Sequence, residues 1–89
     1  MIHDDVIEKI LDNLKKFDIN IADLEADFIT ENNIDSITFI EIIINLEEEF
    51  SILIPEEYLL IERMNTVSKI AEVIKKELIS ANSEFKEIS

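Results

Sequence analysis

The 89-residue chain has no glycine, no cysteine and no tryptophan, and only one proline and one histidine. Without glycine there can be no Gly-rich loop to cradle phosphate, nor the sharp turn of an EF-hand calcium loop. Without cysteine there is no disulfide framework, thiolate zinc site or cysteine nucleophile, and no sign of an oxidising compartment. A single proline leaves few positions that interrupt a helix. The one imidazole, His3, is expected to be an exposed terminal residue, so no serine here has a plausible His–acid relay. No apolar stretch approaches the roughly 20 residues that span a bilayer. The start, Met1-Ile2-His3-Asp4-Asp5, lacks the basic and apolar regions of a signal peptide. No membrane insertion and a cytoplasmic location are therefore expected, and no metal site is expected either.

Basic residues are also missing from the middle of the chain. Between Phe17 and Glu62 there is no Lys or Arg, yet thirteen of the 21 acids lie there. The flanks hold all eight basic residues and the remaining eight acids, so the net charge of −13 belongs wholly to the middle half. That argues against nucleic acid, whose binding rests on Lys and Arg against phosphates, and against anionic membrane surfaces. It suits steering towards basic protein patches.

Hydrophobic residues make up 47% of the chain, too many for a disordered acidic polymer. This length makes one domain with a small core, expected over residues 1–79 as a monomer, with 80–89 a frayed tail of little periodicity. An all-α bundle is the simplest expectation.

The informative stretch runs from Asn33 to Phe50. Its β-branched isoleucines favour a strand, but the polar breaks at Thr38, Glu41, Asn45 and Glu48 fall three or four residues apart, so the period is helical. Phe39, Ile42, Ile43, Leu46 and Phe50 then form one stripe. Ile37, Ile40, Glu41, Ile44, Glu47 and Glu48 form another on the opposite side. The second stripe is either a second buried face or a docking surface that starts at Ser36. Ser36 reads as the helix cap, its hydroxyl at a helix mouth that favours attached or bound phosphate.

Elsewhere, Val6, Ile7, Ile10, Leu11 and Leu14 predict a one-sided helix over 4–16, with acids at its start and lysines at its end. Residues 17–35 form a long connection with apolar anchors at Ile19, Ile21, Leu24, Phe28, Ile29 and Ile34, and a short helical turn is expected over 22–27. Pro55 suits the start of a short helix. Tyr58, Leu59, Leu60 and Ile61 are expected to close over the core or, as the lesser alternative, to line an entry for an apolar chain. Thr66 is the expected cap of a last helix that buries Val67, Ile70, Ala71, Ile74 and Leu78.

Asp35-Ser36-Ile37, Glu41, Leu46-Glu47-Glu48-Glu49-Phe50 and Ile54-Pro55 together resemble the acyl carrier protein family over roughly residues 4 to 79. The resemblance implies a four-helix bundle with a long first loop and a short third helix. It implies 4′-phosphopantetheine carried covalently on Ser36, and acyl or aminoacyl groups held as thioesters on that arm. Asp35 and Ile37 flank the attachment site. Glu41, Glu47 and Glu48 match the family's recognition positions; Ile40 and Ile44 share their stripe, and Ile54 and Glu56 extend it. The implied partners are a phosphopantetheinyl transferase, a loading ligase and downstream synthase or transferase enzymes. Asn33 stands where the family often has Gly, a mild change because Asn tolerates a left-handed backbone.

Thr38 replaces the family's usual acid, Ile37 replaces Leu, and ten residues separate Pro55 from Thr66. These departures lean towards stand-alone carriers of peptide, polyketide or D-alanyl transfer rather than housekeeping fatty-acid carriers. The alternative from another class is an unmodified acidic helical adaptor that uses the same face only for binding. No independent enzyme activity is expected.

Overall fold

The computed structural model describes the backbone of residues 4–88 and the side chains of residues 4–80. His3 therefore lies outside the described residues. Four helices follow in order: α1 (Asp5–Lys15), α2 (Phe28–Glu31), α3 (Ser36–Phe50) and α4 (Val67–Ile88). Two single 3₁₀ turns, Glu56–Tyr58 and Ile61–Arg63, connect α3 to α4, and no strand occurs among the described residues.

Local chemistry sets the helix boundaries. Asp4 caps α1, its Oδ1 accepting the Val6 and Ile7 amides at 3.1 and 3.2 Å. Its Oδ2 receives Lys75 Nζ of α4 at 2.6 Å, so the cap also ties the first helix to the last. That lysine holds the Asp4 carboxyl below its ordinary pKa, helped by the capped amides. α1 ends where Asp18 turns left-handed at φ 62°. Ser51 closes α3 in the same conformation, at φ 54°. Asp and Ser fill positions that glycine usually takes, in a chain that has none. Thr66 caps α4 through Oγ, which accepts the Lys69 amide at 3.1 Å.

The core collects Ile10 and Leu14 of α1, Phe28 and Ile29 of α2, Phe39, Ile42, Ile43 and Leu46 of α3, and Val67, Ile70 and Ile74 of α4. α1 packs against both α3 and α4. Asn13 is buried within this core, and its amide Nδ2 donates to the Lys9 carbonyl at 2.9 Å, so no polar group is left unpaired there.

The long first connection is pinned, as its apolar anchors predict: Ile19, Phe28 and Ile29 are buried, and Ile21, Leu24 and Ile34 pack partly against the core. Backbone bonds add to this. The Phe28 amide donates to Asn65 O and the Ser68 amide to Leu24 O, each at 3.1 Å, fastening the loop to the start of α4.

Three expectations need correction. The short helix in this loop is α2, at 28–31 rather than 22–27, because Asp27 supplies the cap: its Oδ1 accepts the Thr30 amide at 3.0 Å. The short third helix is split into two 3₁₀ turns by Leu59 and Leu60. The backbone of α4 continues to Ile88, where a frayed tail was expected from residue 80. Nothing between 80 and 88 stops a helix, since the segment has neither Gly nor Pro.

Candidate functional site

The head of α3 is built from a short, tightly turned approach. Asn33 adopts φ 50°, as its type predicts. The Asn33 amide bonds Thr30 O at 3.2 Å, and the Ile34 amide bonds Ile29 O at 3.0 Å. Asp35 then caps the helix: its Oδ1 accepts the Thr38 amide at 2.8 Å. This bond, with a second from the Thr38 hydroxyl, lowers the pKa of the Asp35 carboxyl.

The cap is thus Asp35, one residue earlier than the sequence reading placed it. A carboxylate at 35 meets the amide of the third helical residue, the reach that capping requires. Ser36 becomes the first residue of the helix, and its side chain is exposed. Among the described residues no side-chain hydrogen bond occupies Ser36 Oγ. The hydroxyl stands at a positive helix end with no structural task of its own.

Beside Ser36 an open groove of about 540 Å³ runs between α3 and the second 3₁₀ turn. Ile40, Leu59, Leu60 and Ile61 line it, with Asp27 and Asn65 on one wall. That wall is rigid, since Asn65 Nδ2 donates to Asp27 Oδ2 at 2.9 Å and Thr30 Oγ donates to the same oxygen at 2.9 Å. Leu60 and Ile61 are exposed along the groove, the lesser of the two alternatives for this segment, while Tyr58 and Leu59 are partly buried against the core. A tandem of 3₁₀ turns has three residues per turn and cannot hold four consecutive apolar side chains on one face.

The two stripes of α3 separate as their period requires. Phe39, Ile42, Ile43 and Leu46 are at most 2% exposed, whereas Ile37, Ile40 and Ile44 are 72%, 41% and 47% exposed. Glu41 and Glu48 are exposed beside that apolar strip, and Glu56 is exposed on the first 3₁₀ turn. Glu47 is half-buried, and its Oε2 accepts the Ile54 amide at 2.8 Å. It therefore also organises the loop after α3. Ile54 is only 5% exposed and belongs to the core, so it cannot extend the docking strip as expected. Its neighbour Leu53 is 83% exposed.

Among the described residues no three His, Cys, Asp or Glu side chains stand together as a metal site, and no helix is long and apolar enough to cross a membrane. Residues 4–74 match the family model described as a phosphopantetheine attachment site. The chain belongs to this family. Its members are carriers, not enzymes, so the carrier described here bears 4′-phosphopantetheine as a covalent prosthetic group, and membership implies a phosphopantetheinyl transferase and biosynthetic enzymes as partners. No solved structure matches it significantly.

Proposed function

We propose that Ser36 is the attachment residue and that the strip Ile37–Ile40–Ile44, with Glu41 and Glu48, is the face presented to partner enzymes. The observation that carries this reading is the division of labour at the head of α3. Asp35 satisfies the helix end, and Ser36 Oγ stays exposed and unbonded beside an apolar groove. A phosphodiester on Ser36 fits there, because the positive end of α3 favours its negative charge. Attachment forms a bond from Ser36 Oγ to the pantetheine-side phosphorus of coenzyme A, releases adenosine 3′,5′-bisphosphate and gives up the hydroxyl proton. The arm supplies a terminal thiol on which acyl or aminoacyl cargo is carried.

The protein's own residues do the positioning. Asp35 and Thr38 fix the first turn, Ile37 and Ile40 flank the attachment point, and Leu60 and Ile61 form the far wall of the groove. Glu47 keeps the loop after α3 in register through Ile54. Glu41, Glu48 and Glu56 supply the acidic fringe for basic partner surfaces. The cargo system is of the fatty-acid, polyketide, peptide or D-alanyl type, and Thr38 at the usually acidic position and the long 55–66 connection lean it towards the last three.

The test is intact mass after incubation with coenzyme A and a broad-specificity phosphopantetheinyl transferase. A gain of one phosphopantetheinyl group in the wild type and none in Ser36→Ala is expected. A gain that survives Ser36→Ala moves the attachment elsewhere. No gain, with a control carrier modified, favours an adaptor role.

A further inference from the structure

The groove beside Ser36 is not uniformly apolar. Ile40, Leu60 and Ile61 give it hydrocarbon, while Asp27, Glu62 and Asn65 give it polar edges. No Lys, Arg or His is among the described residues that line it. Its volume of about 540 Å³ falls within the range of small-molecule sites, about 300–1,000 Å³.

Asp27 is held there as a fixed anion. Its Oδ1 accepts the Thr30 amide at 3.0 Å, and its Oδ2 accepts Thr30 Oγ and Asn65 Nδ2, each at 2.9 Å. The Thr30 amide leads these donors in lowering the Asp27 pKa, so the carboxyl is ionised at neutral pH. Asn65 is fixed in turn, because Lys69 Nζ donates to its Oδ1 at 2.9 Å. A carboxylate has about four acceptor sites. Three are used here, and Oδ1 keeps one for a further donor. Glu62 has no side-chain hydrogen bond or ion pair among the described residues. Lys69 Nζ reaches only its backbone carbonyl, at 3.0 Å. Lys69 and Arg63 border a different hollow, which Glu62 also touches.

We infer that this groove selects cargo with a free ammonium, an aminoacyl group, over a plain acyl chain, and that Asp27 and Glu62 determine that choice. The inference rests on Ser36 as the attachment residue. The arm has about five residues' length and reaches roughly 17 Å when extended. Ser36 itself lines the groove, so an arm folded back along it lays its terminal group among the groove's residues. An ammonium there meets two carboxylates and no lining base, beside apolar side chains that exclude water and strengthen the attraction. It also brings the donor that Asp27 Oδ1 lacks. A hydrocarbon chain in the same place covers Asp27 and Asn65 without offering them a partner, which costs free energy. Charge complementarity therefore separates the two classes of cargo.

The experiment loads the full chain with stable arms. A phosphopantetheinyl transferase is given coenzyme A analogues that end, through an amide in place of the thioester, in an alanyl, N-acetylalanyl or butyryl group. Mass spectrometry shows whether Ser36 carries the arm. The ammonium pKa is read from the isotope-labelled alanyl methyl signal against pH, at physiological salt, on the carrier and on the free analogue. It is expected to be raised by about 0.5 unit or more on the carrier, because neighbouring carboxylates favour the charged form. Asp27→Asn and Glu62→Gln are each expected to lower it again. Glu49→Gln, an exposed acid outside the groove, controls for the general field of the protein and is expected to leave it in place. The Asn65 side-chain amide signal is expected to move with the alanyl arm and to stay with the two neutral ones. Asp27→Asn keeps an oxygen for the Thr30 amide; where it melts early, Glu62→Gln, with no side-chain bond to lose, decides alone. A pKa that ignores the groove substitutions or falls equally in Glu49→Gln, or an Asn65 signal that moves alike with all three arms, overturns the inference. If Ser36 takes no arm while a control carrier does, the attachment reading fails and takes this one with it. An arm that attaches without these shifts overturns the cargo choice only.

Discussion

Asp35 and Thr38 share a hydrogen bond of 2.8 Å across the first turn of α3, carboxylate to amide, and that bond releases the intervening Ser36 from capping. Two neighbouring residues that both favour helix ends have been given different jobs. The carboxylate completes the helix, and the alcohol faces solvent.

This arrangement has a pH signature. Asp35, Asp27 and Asp4 all have pKa values lowered in the fold, Asp35 and Asp27 chiefly by a capped backbone amide and Asp4 chiefly by Lys75. Groups of this kind contribute stability that is fully present above the ordinary Asp value of 3.8. It is lost as pH falls below that value towards the lowered one. Melting temperature measured from pH 7 down to pH 2 is expected to hold level and then drop in this acid range. Asp35→Asn, which keeps a capping oxygen, is expected to melt close to the wild type at pH 7 with a shallower acid drop, whereas Asp35→Ala melts lower at pH 7. An Asp35→Ala variant as stable as the wild type at pH 7 contradicts the cap assignment.

Ile44 and Leu46 are near neighbours in sequence and opposites in the fold. Leu46 is fully buried and Ile44 is 47% exposed. Leu46→Ala is expected to cost about 2–5 kcal/mol, enough to lower the melting temperature by roughly 10 °C or more in so small a domain. Ile44→Ala is expected to change it little. Thermal denaturation of the two single variants checks the face assignment of α3, and equal losses would refute it.

Charge reversal along the strip separates docking from folding. Glu48→Lys and Glu41→Lys are expected to slow modification several-fold at low salt, with the gap closing as salt is added, because exposed charges act on association and are screened. Glu47→Gln behaves differently. It keeps an oxygen for the Ile54 amide and so preserves the loop. Rate constants at two ionic strengths decide the matter, and rates insensitive to Glu41 and Glu48 remove the acidic fringe from docking.

Thirteen acids without a compensating base between residues 17 and 62 repel one another. Millimolar Mg²⁺ or Ca²⁺ in low-salt buffer is expected to raise the melting temperature. Since no group of three ligating side chains gathers among the described residues, sodium chloride at sufficient ionic strength is expected to reproduce most of the rise. A large divalent effect that salt cannot imitate would point to a specific site instead of screening.

Much of this was legible in the chain because it depends on local order. The three- and four-residue spacing of Thr38, Glu41, Asn45 and Glu48 set the helical period of α3. That period alone put Ile37, Ile40 and Ile44 opposite Phe39, Ile43 and Leu46. The left-handed turn at Asn33 was expected from the family's usual Gly at that place, which Asn can replace, and Thr66 announced a cap. The carrier reading came from the resemblance of Asp35-Ser36-Ile37, Leu46-Glu47-Glu48-Glu49-Phe50 and Ile54-Pro55 to the acyl carrier protein family, with which the acidic middle and the absent cysteine are compatible.

Sequence periodicity settles which residues share a helix face, because 3.6 residues per turn is a property of the backbone itself. It does not settle which of two candidate caps takes the helix end, since Asp35 and Ser36 are both good caps and only the path of the chain from Asn33 chooses between them. Nor does it say which residue of Ile52-Leu53-Ile54 goes inside. Alternation leaves two answers, and Glu47, bonding Ile54 from seven residues away, selects the one that buries Ile54 and leaves Leu53 in water. The groove beside Ser36 needed residues 27, 36, 40, 60 and 65 to come together, and only the packing of the first loop against the start of α4 brings them there.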